Sequence, residues 1–299
     1  MRNFDFIGSV FFISTCLFLH PTFLAGQRTS LDKVKSYRLD HVNIAVENLV
    51  AAKNHYSDIL GFSIKPGRLH KNGLLNAFTK FKDGTLLELI TSSREDDPLS
   101  SWYFNFIKKN PTGAGAFVAV RIDNEDELKA VKNRLSSNGI EYDYAESSYA
   151  KLLSFKEDNL LHPIFFIHYL KPVVDKPIHL NHPNTAQSLI AVWFSDQLAG
   201  ALHHDLDFKI STMKIALPFL PTKGKVIQLN NSRIYLLPTQ STNRILGVTL
   251  LVEDLDVAKT FIEQKTGTIF EVYKTERGES FAISPELTFG IWIEFLEIE

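Results

Sequence analysis

The most constraining feature of this sequence is a long-range internal repeat. The segment from Val42, VNIAVENLVAAKNHYSDILGF, and that from Val248, VTLLVEDLDVAKTFIEQKTGT, align without a gap at a constant offset of 206. Val42, Val46, Glu47, Leu49, Ala52, Lys53 and Gly61 meet Val248, Val252, Glu253, Leu255, Ala258, Lys259 and Gly267. Farther on, Gly84 meets Gly290 and Glu88 meets Glu294. An ungapped match of that length requires one supersecondary unit to be built at least twice.

Both copies parse alike. An alternating strand (His41 to Val46 in the first) leads to Asn48 or Asp254, side chains suited to cap a helix N-terminus. An amphipathic helix follows with Leu49, Ala52, Tyr56, Ile59 and Leu60 on one stripe, and Gly61 or Gly267 stops it. Three strand-like stretches complete the first unit, near Phe62–Lys65, Asn76–Phe81 and Thr85–Ile90, giving the order βαβββ. Two weaker copies lie between. In one, Ala116–Ile122 alternates, Asn124 caps, Gly139 stops, and strands follow near Tyr142, Leu152 and Phe165. In the other, Leu189–Phe194 leads to Ser195 and a short helix through His204, then strands near Phe208, Val226 and Tyr235. The expected fold is α+β: four βαβββ modules forming two curled mixed sheets. A Pro-, His- and Asn-rich connector divides the halves, so the expected domains are 36–172 and 186–299, joined by 173–185.

The start of the chain stands apart. Arg2 precedes an apolar run from Phe6 to Leu19, and Ala25 and Gly26 follow at a cleavage distance, so 1–26 reads as a secretory signal peptide. The run is short of the roughly 20 residues of a spanning helix; an uncleaved N-terminal anchor is the alternative. Export to the periplasm or medium is the expectation, with no stable membrane insertion after cleavage. The only cysteine, Cys16, lies in this segment, so a mature chain would carry no disulfide. A net charge of −2 gives no electrostatic footprint for nucleic acid. With 44% hydrophobic residues, the chain is too apolar to be largely disordered. No macromolecular partner or oligomeric state is legible.

The stretches LDHVNIAVENLVAAKNHYSDILGF, GRLHKNGLLNAFTKFKDGTLLELI, HPIFFIHYLKP and NHPNTAQSLIAVWF resemble the glyoxalase-like domain of the vicinal oxygen chelate superfamily. The resemblance covers nearly all of the mature chain and is looser after Thr185. It implies paired βαβββ modules curling their sheets around a metal or ligand cavity. Its members include lyases, isomerases, extradiol dioxygenases and metal-free proteins that sequester antibiotics, so fold alone does not fix the activity.

Strand parity adds an argument from the residues themselves. Val42, Ile44 and Val46 share one face, which takes the helix, leaving His41 and Asn43 on the open, concave one. Glu88 lies amid apolar neighbours in TLLELI, where an unpaired carboxylate is costly. The resemblance assigns a ligand to a module's first strand and a Glu to its last, positions that His41 and Glu88 fill. In the second module Phe117 matches His41, and His168 matches Glu88. The implied metal set is therefore His41, Glu88 and His168, suited to a divalent Fe, Mn or Zn ion, with Glu88 also relaying a proton. Arg121 shares the Phe117 face and either clamps a ligand anion or pairs with Glu88. Asn43, His70, Asn76 and His182 complete the candidate substrate-binding residues. His203 and His204 end a short helix and read as capping.

In the second half the matching positions are Gln187 or Ser188, Tyr235, Gly247 and Glu294, which argues for scaffold there and chemistry in the first half. Two functions stay open: a metal-dependent lyase, isomerase or dioxygenase chelating a small oxygenated substrate, or a metal-free small-molecule binding or sequestration protein.

Overall fold

The structure, a computed structural model, describes residues 37–217, 220, 223–239 and 241–298. The segment expected to be a signal peptide, with Cys16, lies outside the described residues. The first module comprises β1 (Arg38–Ala45), α1 (Leu49–Asn54, prolonged by a π-helical turn to Ile59), β2 (Lys65–Leu69), β3 (Leu74–Lys80) and β4 (Leu86–Ser92). After it come α2 (Pro98–Lys109), then β5 (Ala114–Arg121), α3 (Glu125–Ser137), β6 (Tyr142–Glu146), β7 (Ala150–Phe155) and β8 (Ile164–Tyr169). The third module has β9 (Ala186–Ser195), α4 (Ala199–His204), β10 (Ile210–Ala216), β11 (Lys223–Gln228) and β12 (Arg233–Leu237). The fourth has β13 (Ile245–Val252), α5 (Leu255–Thr266), β14 (Tyr273–Thr275), β15 (Gly278–Ile283) and β16 (Trp292–Ile298).

Each pair of modules forms one eight-stranded sheet, ordered β2-β3-β4-β1-β5-β8-β7-β6 and β10-β11-β12-β9-β13-β16-β15-β14. Within a module the first and last strands run parallel, and the first strands of the two modules meet antiparallel at the centre. The sheets are mixed, and α+β is the class observed. The expected caps are present: Asn48, Asn124 and Asp254 side chains each accept a backbone N–H of the helix they open. Gly61 and Gly267 follow their helices at φ of +74° and +70°, a conformation Gly adopts without a Cβ penalty. The first module's second strand begins at Lys65 and not at Phe62. Phe62 is instead core, with its ring against those of Tyr56, Phe81 and Phe295.

The helix-bearing faces of both sheets contribute to one continuous apolar core. It runs from Val42, Ile44 and Leu87 in the first module to Val192, Val248 and Phe295 in the second sheet. Tyr56 donates its hydroxyl to Thr288 O at 3.0 Å, tying the first module to the fourth. The two module pairs are thus separate sheets over a shared interior.

The helix α2 was not expected from the repeat. Its local signal is nonetheless strong: Asp97 and Ser100 form a reciprocal capping box, and Pro98 occupies the first turn. Trp102 and Phe106, and Tyr103 and Ile107, recur at i,i+4 on the side that meets Leu74, Ile90, Ala45 and Phe117 of the first sheet. The helix therefore covers part of the concave face.

Candidate functional site

Strand register assembles the site from the first sheet. Asn43 on β1 lies opposite Glu88 on β4 and opposite Phe117 on β5. The pairing of β1 with β5 shifts between Leu39 and His41, so that Asp40 is an extra residue in β1. Such a bulge locally breaks the two-residue alternation. It lets Asp40 and His41 meet side by side, His41 Nδ1 donating to Asp40 Oδ1 at 2.6 Å. A carboxylate only accepts, so this contact fixes the proton on Nδ1 and leaves Nε2 facing away from Asp40. Tyr169, from β8 of the second module, donates its hydroxyl to the same Asp40 oxygen at 3.0 Å. Burial, followed by the charge of Asp40, pushes the Tyr169 hydroxyl above its ordinary pKa.

On the other side of His41, Nε2 stands 3.6 Å from Glu88 Oε2, beyond hydrogen-bond distance. Glu88 is held by two amides: Asn43 Nδ2 donates to Oε2 at 2.6 Å and Asn76 Nδ2 to Oε1 at 2.7 Å. Asn76 is fixed in turn, its carbonyl oxygen accepting from Arg68 N at 3.1 Å. Asp40, His41, Asn43, Asn76 and Glu88 are all buried. Asn43 Oδ1 is buried with no hydrogen-bond partner among the described residues. Apolar rings enclose the group: Phe165 lies edge-on to His41 at 5.4 Å, Phe117 touches Phe165, Trp102 and Tyr103, and His162 packs against Trp102 and Phe117. Burial, and then the charge of Glu88, raises the Tyr103 hydroxyl pKa.

The structure thus brings His41, Asn43, Asn76 and Glu88 together. It does not bring His168. On β8, Phe165, Ile167 and Tyr169 alternate onto the concave face, and His168 takes the other side with the core residue Phe166. There its Nδ1 contacts Ile122 O at 2.8 Å. The one-residue difference in parity places the expected third ligand on the wrong side of the sheet. Arg121 does not pair with Glu88: its Nε donates to Asp123 Oδ1 at 2.5 Å and its guanidinium lies 5.3 Å from the Tyr169 ring centroid.

His182 is not available to a ligand either. Its Nδ1 accepts from Ser63 N at 2.9 Å, its Nε2 donates to Lys80 O at 2.8 Å, and Phe62 and Phe81 flank the ring. Burial lowers its pKa, and the ring fastens the connector to the first module. His70 sits half-buried in the β2–β3 turn, its backbone N–H closing that turn on Leu74 O at 2.7 Å. At the end of α4, His203 Nδ1 donates to Phe208 O at 3.1 Å. Sequence reasoning missed Asp40, Tyr169 and Phe165. The signal for the last two was present, since counting by two from Ile167 reaches both.

The second sheet repeats the arrangement without the imidazole. Thr249 and Glu294 stand where Asn43 and Glu88 stand in the first module, and Thr249 Oγ1 donates to Glu294 Oε2 at 2.7 Å. Trp193 Nε1 donates to Thr249 Oγ1 at 2.9 Å. Trp193, Tyr235 and Leu217 fill this face, and burial raises the Glu294 pKa.

A divalent ion of the kind the fold family implies needs about three protein donors around one point. His41 Nε2 and Glu88 Oε2 supply two. The second module offers Phe117 and Phe165 in place of further donors, and Asp40 is on the Nδ1 side of the ring. Among the described residues, no group of three or more His, Cys, Asp or Glu side chains could hold a metal ion. The donor set does not fit the chelate.

The sequence pattern of the glyoxalase-like domain family matches residues 39–207. The chain belongs to that family, within the vicinal oxygen chelate superfamily. It is 31% identical over 105 residues to the mitochondrial methylmalonyl-CoA epimerase of Bos taurus, covering 33% of this chain and 57% of that protein. Against the Dictyostelium discoideum methylmalonyl-CoA epimerase it is 28% identical over 109 residues, 36% of this chain and 61% of that protein. The chain thus spans less than two thirds of the curated relatives it matches. Among solved structures, it resembles a xylose isomerase-like TIM barrel/4-hydroxyphenylpyruvate dioxygenase fusion protein with a TM-score of 0.61 at 10% identity, over 89% of this chain and 49% of that one. It also resembles a mutant 4-hydroxymandelate synthase from Streptomyces coelicolor with a TM-score of 0.60 at 11% identity, over 89% and 94%. At such identities the likeness establishes the fold.

Proposed function

We propose that this glyoxalase-like protein binds a small molecule on the concave face of its first sheet without a chelated metal. The observation that carries this reading is the replacement of the second module's donors by Phe117 and Phe165, while His41 and Glu88 remain buried and oriented. What remains is a polar pole inside aromatic walls, the usual make-up of a small-molecule site. The Asp40–His41 contact and the similarity to two epimerases favour a second reading, in which His41 Nε2 moves a proton on the bound molecule.

One experiment addresses both. The purified full chain is analysed for bound metal, treated with chelator, and titrated with a panel of small oxygenated and aromatic compounds by tryptophan fluorescence and calorimetry. Binding that survives chelation and is lost in His41→Ala is the expected result. Stoichiometric metal that disappears in His41→Ala would overturn it. Deuterium uptake by a bound ligand in heavy water would support the proton-transfer reading.

A further inference from the structure

Resting on that binding reading, we infer that the ligand is an organic cation: a protonated amine on an apolar or aromatic body. The donors of the polar pole, His41 Nδ1, the Tyr169 hydroxyl, Asn43 Nδ2 and Asn76 Nδ2, already bond Asp40 and Glu88, and the pole is negatively charged. Asp40 and Glu88 bring two carboxylates into a buried cluster, and His41 can offset at most one of them. Among the described residues, no Lys or Arg forms an ion pair with either, and Arg121 on the same face is bonded to Asp123. Buried charge is costly unless it is paired.

The second, independent observation is Asn43. Its residue is 4% exposed, its amide nitrogen is spent on Glu88, and its Oδ1 is left without a partner. The covalent geometry of the amide keeps that oxygen within a few ångströms of the Glu88 carboxylate. A ligand group that satisfies Asn43 Oδ1 and Glu88 Oε2 together must therefore donate more than one hydrogen bond. An ammonium group carries three such donors and the missing charge. The side chains of His41 and Glu88 keep 9% and 11% of their surface exposed, and this is the side from which a head group would approach. Phe117, Phe165, Tyr103 and Trp102 are the aromatic surroundings that both a cation and an apolar body favour. An anionic ligand would face two carboxylates and an amide oxygen.

The test uses the chelator-treated full chain and three probes of one shape: phenethylamine, phenethyl alcohol and hydrocinnamate. The amine should bind about tenfold or more tightly than the alcohol, as a charge-assisted hydrogen bond predicts, and the carboxylate should be weakest. Glu88→Gln should weaken the amine far more than the alcohol and so close most of the gap between them. Equal binding of amine and alcohol, or preference for the carboxylate, overturns the cation while leaving metal-free binding standing. That comparison is made on the unmodified protein and does not depend on the variant folding. If no probe binds, both readings fall. Tight binding of Mn(II) or Zn(II) that excludes the amine assigns the negative pole to a metal and also overturns the inference.

Discussion

Replacing His182 by alanine should destabilise the fold strongly and leave ligand binding untouched, although the sequence places this residue in a family motif. The imidazole bridges the connector to two segments of the first module. It accepts from Ser63 N, donates to Lys80 O, and lies between the rings of Phe62 and Phe81. Two hydrogen bonds contribute about 1 kcal/mol each, and removing a buried ring from between two others costs about a further 2–3 kcal/mol. The expected loss is therefore about 4–5 kcal/mol in urea unfolding followed by circular dichroism. The pH dependence is a sharper check. Burial lowers the folded pKa of His182, whereas the unfolded ring titrates at about 6.5. Between those values the unfolded chain binds more protons, so the wild-type stabilisation is complete above about 6.5 and falls as the solution becomes more acidic. The cost of His182→Ala should accordingly be largest at about pH 8 and shrink toward about pH 5. A cost below about 1 kcal/mol at pH 8, or one that grows on acidification, would refute the reasoning.

Glu294→Gln should stabilise the protein at neutral pH, because burial raises the carboxyl pKa and the folded state holds its proton above the unfolded value. The wild-type protein should lose stability as pH climbs from about 4.3 toward the folded pKa, and the variant should lose that slope in thermal melts. Gly84 and Gly290 are equivalent in the repeat and both have positive φ, but only at Gly290 would a Cβ strike backbone, 1.9 Å from Gly113 O. Gly84→Ala should cost about 1 kcal/mol and Gly290→Ala clearly more, read as a difference in urea midpoints.

The repeat was legible because it rests on packing. Val42, Leu49, Ala52 and their partners at offset 206 all face the shared core, where each module demands the same apolar shape. The caps were legible for a similar local reason: Asn48 and Asp254 satisfy N–H groups that every helix leaves unbonded. Parity correctly put His41 and Asn43 on the concave face, but the register of β1 with β5 is broken at Asp40, and no alternation rule announces a bulge. His168 was misplaced for a different reason. A match to a family position tolerates an error of one residue, and in a strand one residue is the whole difference between the two faces. The helix α2 lies between modules, outside the repeating unit, and only its capping box announces it.

The first and fourth modules show how one framework admits or excludes an imidazole. Both keep a polar residue on the first strand bonded to a glutamate on the last, Asn43 to Glu88 and Thr249 to Glu294. The difference lies one pair farther along. His41 faces Ala119 across the β1–β5 ladder, and Gly247 faces Trp193 across β13 and β9. A small partner leaves space over the sheet for an imidazole. The indole fills that space, and a Cβ on Gly247 would come within 2.5 Å of it. Trp193 also donates to Thr249, so the ring that excludes a side chain at 247 takes up the hydrogen-bonding capacity beside Glu294. In the second sheet an indole completes the core; in the first, His41 has a small cross-strand neighbour, and Asp40 and Tyr169 hold its ring in place.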